Sequence, residues 1–170
     1  IISIDEIIIK DKTLEETGNL LKGPASSTVN IKIRRNNREY LKKVQREKIQ
    51  IPAVNFTQKV NKNTGIIKLT SFTNTAALEF KKALIELQKQ EIKNLIIDLR
   101  SNGGGLLNEA VKIVNFFIPK GQEVVSTKSR LEEMNRTYLT QLPPIAEDLK
   151  LVVLIDEYSA SASEIVAGSL

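Results

Sequence analysis

The chain has 170 residues, 25 basic and 20 acidic, with no histidine, no cysteine and no tryptophan. Lacking histidine and cysteine, it has no Ser-His-Asp triad, no Cys-His dyad, no zinc centre of the His/Cys kind, no disulfide framework and no CxxC redox centre. Any nucleophile is therefore a serine, a threonine or a carboxylate, and its base is a lysine, a carboxylate or a group outside the chain.

Hydrophobic residues make up 41% and charged residues 26%, the balance of a globular chain of one full domain or two small or partial ones. No apolar run approaches the roughly 18–20 residues of a membrane helix, and no secretory signal pattern opens the chain. The first residues, IISIDEIIIK, read as the middle of a strand, and the last, SASASEIVAGSL, as the first turns of a helix. Both ends are expected to be cuts through a larger protein, so the lack of a signal segment says nothing of where that protein resides.

In chain order, Ile2, Ile4 and Ile7 to Ile9 predict short strands around an Asp5-Glu6 turn. Thr13 followed by Glu16 has the spacing of a capping box opening a short helix, which Gly23-Pro24 ends. Val29, Ile31 and Ile33 alternate with Asn30, Lys32 and Arg34 as a half-buried strand, and a basic partner strand runs on to Ile49 after a turn at Asn36-Asn37. The net charge of +5 is concentrated here, in Lys32, Arg34, Arg35, Arg38, Lys42, Lys43, Arg46 and Lys48 against Glu39 and Glu47. With Tyr40 alone interleaved, these charges read as solvated hairpin faces rather than a nucleic-acid surface.

From Gln50 the pattern changes to strands alternating with helices, the mark of an α/β unit. GIIKLTSF from Gly65 is a strand, and a helix from about Thr75 to Gln90 places Ala77, Phe80, Leu84 and Leu87 on one face. LIIDL from Leu95 and LVVLI from Leu151 are continuous apolar runs, expected to be strands of a mainly parallel sheet covered on both sides. A second helix, about Leu106 to Phe117, stripes Leu107, Ala110, Val111, Val114 and Phe117. QEVVSTK is a further strand in an otherwise irregular stretch of residues 120–148.

Two strand-to-helix junctions can carry chemistry. Ser101-Asn102-Gly103-Gly104-Gly105-Leu106 follows LIIDLR; its glycines permit positive φ and close backbone approach, and the helix start offers unpaired amides to an anion or oxyanion. It is neither GxGxxG nor a Walker A sequence, and a tight turn explains it equally well. Asp156-Glu157-Tyr158-Ser159-Ala160-Ser161-Ala162-Ser163-Glu164 follows LVVLI. Ser161 with Glu164 fits a helix cap, and it also fits a nucleophile on a sharp turn with the Ala162 amide beside it; both readings can hold at once. Two such junctions at the carboxyl ends of strands in one sheet point to acyl transfer, most simply peptide or ester hydrolysis.

LIIDLRSNGGGLLNEAVKIVNFFIP followed by VVLIDEYSASASEIVAGSL closely resembles the carboxyl-terminal processing proteases, also called tail-specific proteases. The resemblance covers nearly the whole chain. It implies a serine endopeptidase with a Ser-Lys mechanism on an α/β core of mainly parallel strands akin to crotonases and Clp proteases, preceded by a β-rich PDZ domain with a short helix. Residues 1–49 match the C-terminal part of that PDZ domain and residues 50–170 the N-terminal part of the catalytic core. By position, Ser161 matches the family nucleophile and Ala162 an oxyanion amide, with Gly104 and Gly105 on the other oxyanion wall. Glu164 matches a position that matters for activity, though a cap role suffices for it. The family's base is a lysine about 25 residues beyond the serine, and this chain ends nine residues past Ser161, so the segment alone is expected to be inactive. In the PDZ portion, Leu14, Gly18 and Leu21 would face a groove that takes a peptide C-terminus as an added strand.

The resemblance further implies protein C-termini as substrates and a periplasmic or cell-envelope location, with any membrane anchor lying outside this segment. No cofactor, metal or nucleic acid is expected. The competing readings are a non-catalytic PDZ-type peptide-binding module with a protease-like fold, and a basic nucleic-acid binder.

Overall fold

The structure is a computed structural model and describes residues 1–49 and 51–170. Gln50, where the sequence changes character, lies outside the described residues. The chain forms two compact units, Ile1–Ile51 and Pro52–Leu170.

In the first unit, β1 (Ser3–Ile4) and β2 (Ile7–Ile8) pair antiparallel around Asp5 and Glu6, both at positive φ as a two-residue hairpin turn requires. Helix α1 (Leu14–Leu21) is capped reciprocally: the Glu16 N–H donates to Thr13 Oγ1 at 3.2 Å and the Thr13 N–H to Glu16 Oε2 at 2.7 Å. Strands β3 (Thr28–Arg35) and β4 (Arg38–Gln45) form a hairpin through Asn36 and Asn37, completing a sheet of order β2-β1-β3-β4. Ile4 and Val29 are its buried apolar residues, so the core is small.

One member of the basic run is not a solvated charge. The half-buried Arg46 donates to the carbonyls of Leu20, Leu21 and Thr28 and to Ser27 Oγ, at 2.7–3.2 Å. It thereby satisfies carbonyls at the end of α1 that the helix leaves unpaired.

The second unit opens with β5 (Val54–Asn61), which pairs antiparallel with β6 (Thr64–Leu69). Helix α2 (Ala76–Gln88) crosses over to β7 (Asn94–Asp98), and α3 (Leu107–Val114) follows. A separate antiparallel pair, β8 (Glu123–Thr127) and β9 (Arg136–Leu139), precedes β10 (Lys150–Leu154) and α4 (Ala162–Ser169). The sheet order is β10-β7-β6-β5, with the first three strands parallel and in register at Lys150, Asn94 and Thr64.

Ala77, Phe80, Leu84 and Leu87 of α2 are all buried, as their spacing predicts, and Phe80 meets Phe116 and Phe117 with ring centroids 6.3 and 6.1 Å apart. Each such large side chain contributes about 1.5–3 kcal/mol by leaving water. Two expectations are corrected. The buried face of α3 centres on Glu109, Ala110, Ile113 and Val114, leaving Leu107 and Val111 half-buried. Among the described residues LVVLI is covered on one face: β10 lies at the edge of their sheet, with Leu151 and Val153 packed on the core and Val152 54% exposed.

Glu109 is buried because it caps a neighbouring helix. Thr75 makes no side-chain cap for α2; instead Glu109 Oε2 accepts the Ala77 N–H at 2.8 Å, while Oε1 pairs with Lys112 at 2.6 Å. Glu109→Ala strands a buried donor and is expected to cost about 2–3 kcal/mol in urea unfolding. Glu109→Gln keeps an oxygen for that amide and should retain most of the stability; equal losses from both would show that the cap is not what matters.

Candidate active site

The parallel strands end on one side of the sheet, and the chain leaves β7 and β10 through the two junctions. After β7, Arg100 forks onto Asp98, with Nε 2.9 Å from Oδ1 and a second guanidinium nitrogen 2.8 Å from Oδ2. These bonds hold the nearly buried Asp98 carboxyl below the usual range despite its desolvation. Ser101, Gly104 and Gly105 then take positive φ of 62°, 100° and 141°.

Asn102 sits in the middle of this turn, fully buried. Its Nδ2 donates to the Leu69 carbonyl at 2.9 Å and its Oδ1 accepts the Gly104 N–H at 2.9 Å. Phe72 pairs alongside: its N–H donates to the Gly104 carbonyl at 3.0 Å and its carbonyl accepts the Leu106 N–H at 2.8 Å. A Cβ on Gly105 would lie 2.5 Å from the Phe72 oxygen, so packing demands glycine there.

The second junction is fastened to the first. Asp156 Oδ1 accepts from the Ser101 N–H at 2.8 Å and the Tyr158 N–H at 3.1 Å, and Oδ2 from Ser101 Oγ at 3.1 Å. The Asn102 carbonyl accepts the Ala160 N–H at 3.2 Å and Ser163 Oγ at 2.8 Å, while Ser159 Oγ donates to the Leu99 carbonyl at 2.8 Å.

Of the three serines in SASAS, the outer two thus have their hydroxyls tied to carbonyls of the neighbouring turn. Ser161, between them, is exposed and stands at φ 58°, ψ −114°, a strained conformation for a residue with a side chain. It stands in capping-box relation to Glu164, but the hydrogen bonds of good geometry bypass the hydroxyl. The Ser161 N–H donates to Glu164 Oε2 at 2.6 Å, and the Glu164 N–H to the Ser161 carbonyl at 3.0 Å. A Cβ on Gly104 would lie 2.8 Å from Ser161 Cβ and from the Ala160 oxygen, and 3.1 Å from the Ala162 nitrogen. The empty side of Gly104 therefore faces Ser161 and the Ala162 amide.

Residues 63–170 match the model of peptidase family S41. The chain belongs to that family. Relatives named "Probable CtpA-like serine protease" are 37% identical over 163 residues in Staphylococcus aureus (strain N315) and 35% identical over 159 residues in Staphylococcus epidermidis. They cover 95% and 94% of this chain, which itself spans 32% of each relative's length. A solved photosystem II D1 C-terminal processing protease superposes with a TM-score of 0.63 at 26% identity, covering all of this chain and 47% of that one. These similarities bear out the resemblance to the carboxyl-terminal processing proteases.

On this S41 framework, Ser161, Ala162 and Gly104 come together, with Gly105 one residue further on. Among the described residues, the N–H groups of Ala162 and Gly105 have no protein acceptor, whereas the Gly104 N–H is taken up by Asn102. Gly104 therefore contributes space rather than a donor. Of the residues expected to face a peptide groove, Leu21 lines an open groove of about 590 Å³ with Val29, Ile31 and Val44, Gly18 is half-buried, and Leu14 is 94% exposed and outside that groove.

Sequence reasoning missed Asn102 and Asp156. The signals were there: an asparagine directly before a glycine triplet, and an aspartate at the end of an apolar strand beside serines. The Asp156 carboxyl is held below the usual range, first by the Ser101 N–H and then, against some desolvation, by the Ser101 and Ser159 hydroxyls and the Tyr158 N–H. A depressed carboxyl stabilises the fold above its unfolded pKa of about 3.9 and loses that effect as pH falls through the folded value. Asp156→Asn removes this titration. The parent's advantage in melting temperature over the variant is expected to hold at pH 6–7 and to shrink below about pH 4; a constant gap down to pH 2 would count against the latch.

Proposed function

We propose that this chain is the central part of a serine endopeptidase of the C-terminal processing type, with Ser161 as its nucleophile. The observation that carries the reading is the contrast within SASAS: the flanking hydroxyls are fastened to carbonyls, and the middle one is exposed on a strained turn beside a free amide. Ser161 Oγ attacks the substrate carbonyl, and the Ala162 and Gly105 amides receive the oxyanion. The serine proton passes to a base and on to the leaving amine; water then cleaves the acyl-enzyme and restores the serine.

The base we propose is a lysine in the part of the family's length that this chain does not span. An ordinary lysine amine, with a pKa near 10.4, is protonated at neutral pH; burial that lowers it by about three units corresponds to roughly 4 kcal/mol in favour of the neutral form. We take residues 1–49 as the C-terminal part of a PDZ domain and 50–170 as the start of the catalytic core. The antiparallel strands, the short helix and the groove beside Leu21 support a role in holding apolar protein C-termini, in the periplasm or cell envelope.

The test uses the full-length protein and an unfolded substrate with an apolar C-terminus. Cleavage that Ser161→Ala abolishes, and that weakens when the substrate C-terminus is amidated, is the expected result. The 170-residue segment alone is expected to resist a fluorophosphonate probe. Binding of the substrate without cleavage would overturn the enzyme reading in favour of a peptide-binding module.

A further inference from the structure

We propose that Asn102 is the positioning residue that sets the nucleophile and the oxyanion wall relative to each other. The inference rests on Ser161 being the nucleophile. Asn102 bonds both sides of the site at once. Its carbonyl accepts the Ala160 N–H and the Ser163 hydroxyl, which lie on either side of Ser161. Its Oδ1 takes the Gly104 N–H, and its Nδ2 ties the turn to the Leu69 carbonyl at the end of β6.

The side chain therefore does two things that packing alone would not. It pins Gly104 at φ 100°, the orientation in which the face without a side chain lies against Ser161 Cβ and the Ala162 nitrogen. It also withdraws the Gly104 N–H, while the Gly105 and Ala162 amides, like that of Gly103, have no protein acceptor among the described residues. Neither effect involves contact with the substrate. Loss of the side chain should thus leave binding nearly intact and slow the chemical step, because a misplacement of about 1 Å at a reacting centre costs on the order of 10²-fold in rate.

The experiment compares full-length parent, Asn102→Ala, Asn102→Asp and Ser161→Ala on one peptide substrate, with the folded fraction of each measured under assay conditions. Asn102→Ala is expected to lower kcat per folded molecule on the order of 10²-fold with KM little changed, and to slow fluorophosphonate labelling of Ser161 in parallel. Asn102→Asp, when ionised, puts two acceptor oxygens against Gly104 N–H and Leu69 O, and only the first is a donor. When protonated, its O–H can donate to Leu69 O and the other oxygen can accept the Gly104 N–H. Burial raises the pKa of such a carboxyl, so the activity of Asn102→Asp relative to the parent should rise as pH falls from 8 to about 5. The charged groups around the junctions, Asp98 and Arg100 after β7, Lys68 on β6, Glu109 on α3, and Asp156 and Glu164 from the β10–α4 side, are present in both proteins and divide out of that ratio.

A lowered melting temperature with unchanged kcat per folded molecule would reduce Asn102 to a structural role and overturn the proposal, as would a flat activity ratio across the pH range. If Asn102→Ala does not fold, the Asn102→Asp series decides alone. Cleavage that survives Ser161→Ala would instead overturn the nucleophile assignment, a failure distinct from either.

Discussion

Ser161→Gly is expected to raise the melting temperature of the protein while abolishing peptide hydrolysis. At φ 58° and ψ −114° the Ser161 backbone occupies a region that glycine enters freely and other residues enter at a cost of about 1–3 kcal/mol. Glycine also loses more conformational freedom on folding, by about 0.5–1 kcal/mol, so the net gain is on the order of 1 kcal/mol, a few degrees in a domain of this size. Ser161→Ala keeps the strain and removes a hydroxyl that makes no good hydrogen bond among the described residues; its melting temperature should match the parent's. Both variants should lose hydrolysis by at least about 10³-fold, as expected when a nucleophile is removed. Calorimetry and a peptide assay on the same preparations check the pair. A glycine variant less stable than the alanine variant would show that the strain is not real, and hydrolysis within about tenfold of the parent's rate in either would remove Ser161 from the chemistry. The trade has a physical logic: the strain holds the hydroxyl clear of the sheet, and the bonds of Ser159, Ala160, Ser163 and Glu164 keep the turn in place around it.

Much of this was legible because local chemistry and fold agree. The stripe of Ala77, Phe80, Leu84 and Leu87 predicts α2 and its buried face, and the Asn36-Asn37 pair predicts a hairpin turn that forms with both residues at positive φ. The capping-box spacing at Thr13 and Glu16 forms in full, whereas the same spacing at Ser161 and Glu164 keeps only the glutamate's half in good geometry. An N-cap residue ordinarily has extended backbone, as Thr13 does; at Ser161, with positive φ, the side chain stands in the capping relation without a cap hydrogen bond of good geometry. Strands β5 and β9 escaped notice because VNFTQKVN and RTYL lie largely exposed and lack a clean apolar period. Arg46 read as a surface charge and the cap role of Glu109 went unseen, since nothing local distinguishes a charge that reaches unpaired backbone groups elsewhere in its unit. Asn102 and Asp156 fall in the same class: their partners lie 33 and 55 residues away in sequence, at Leu69 and Ser101.

The glycine triplet should separate into three different residues under alanine substitution. A Cβ on Gly103 meets nothing within 4 Å, and this glycine is not at positive φ, so Gly103→Ala should retain full activity and stability. Gly105→Ala places its Cβ 2.5 Å from the carbonyl oxygen of the buried Phe72, backbone that cannot yield without breaking the pairing of residue 72 with residues 104 and 106. Its main effect should be on the fold, a loss on the order of 3 kcal/mol or more. Gly104→Ala differs because what it meets is the site: Ser161 Cβ and the Ala160 oxygen at 2.8 Å and the Ala162 nitrogen at 3.1 Å, with φ 100° adding strain. The new methyl either displaces Ser161 or occupies the space over the Ala162 amide where an oxyanion would sit. Loss of one such donor costs about 10²–10³-fold in kcat, and that is the loss expected of Gly104→Ala in the fraction that remains folded. Thermal melts and peptide hydrolysis of the three full-length variants test the pattern. Should Gly104→Ala hydrolyse peptide at the parent's rate, the gap between Gly104 and Ser161 is not where the carbonyl is held, and the oxyanion site must be sought on another side of the serine.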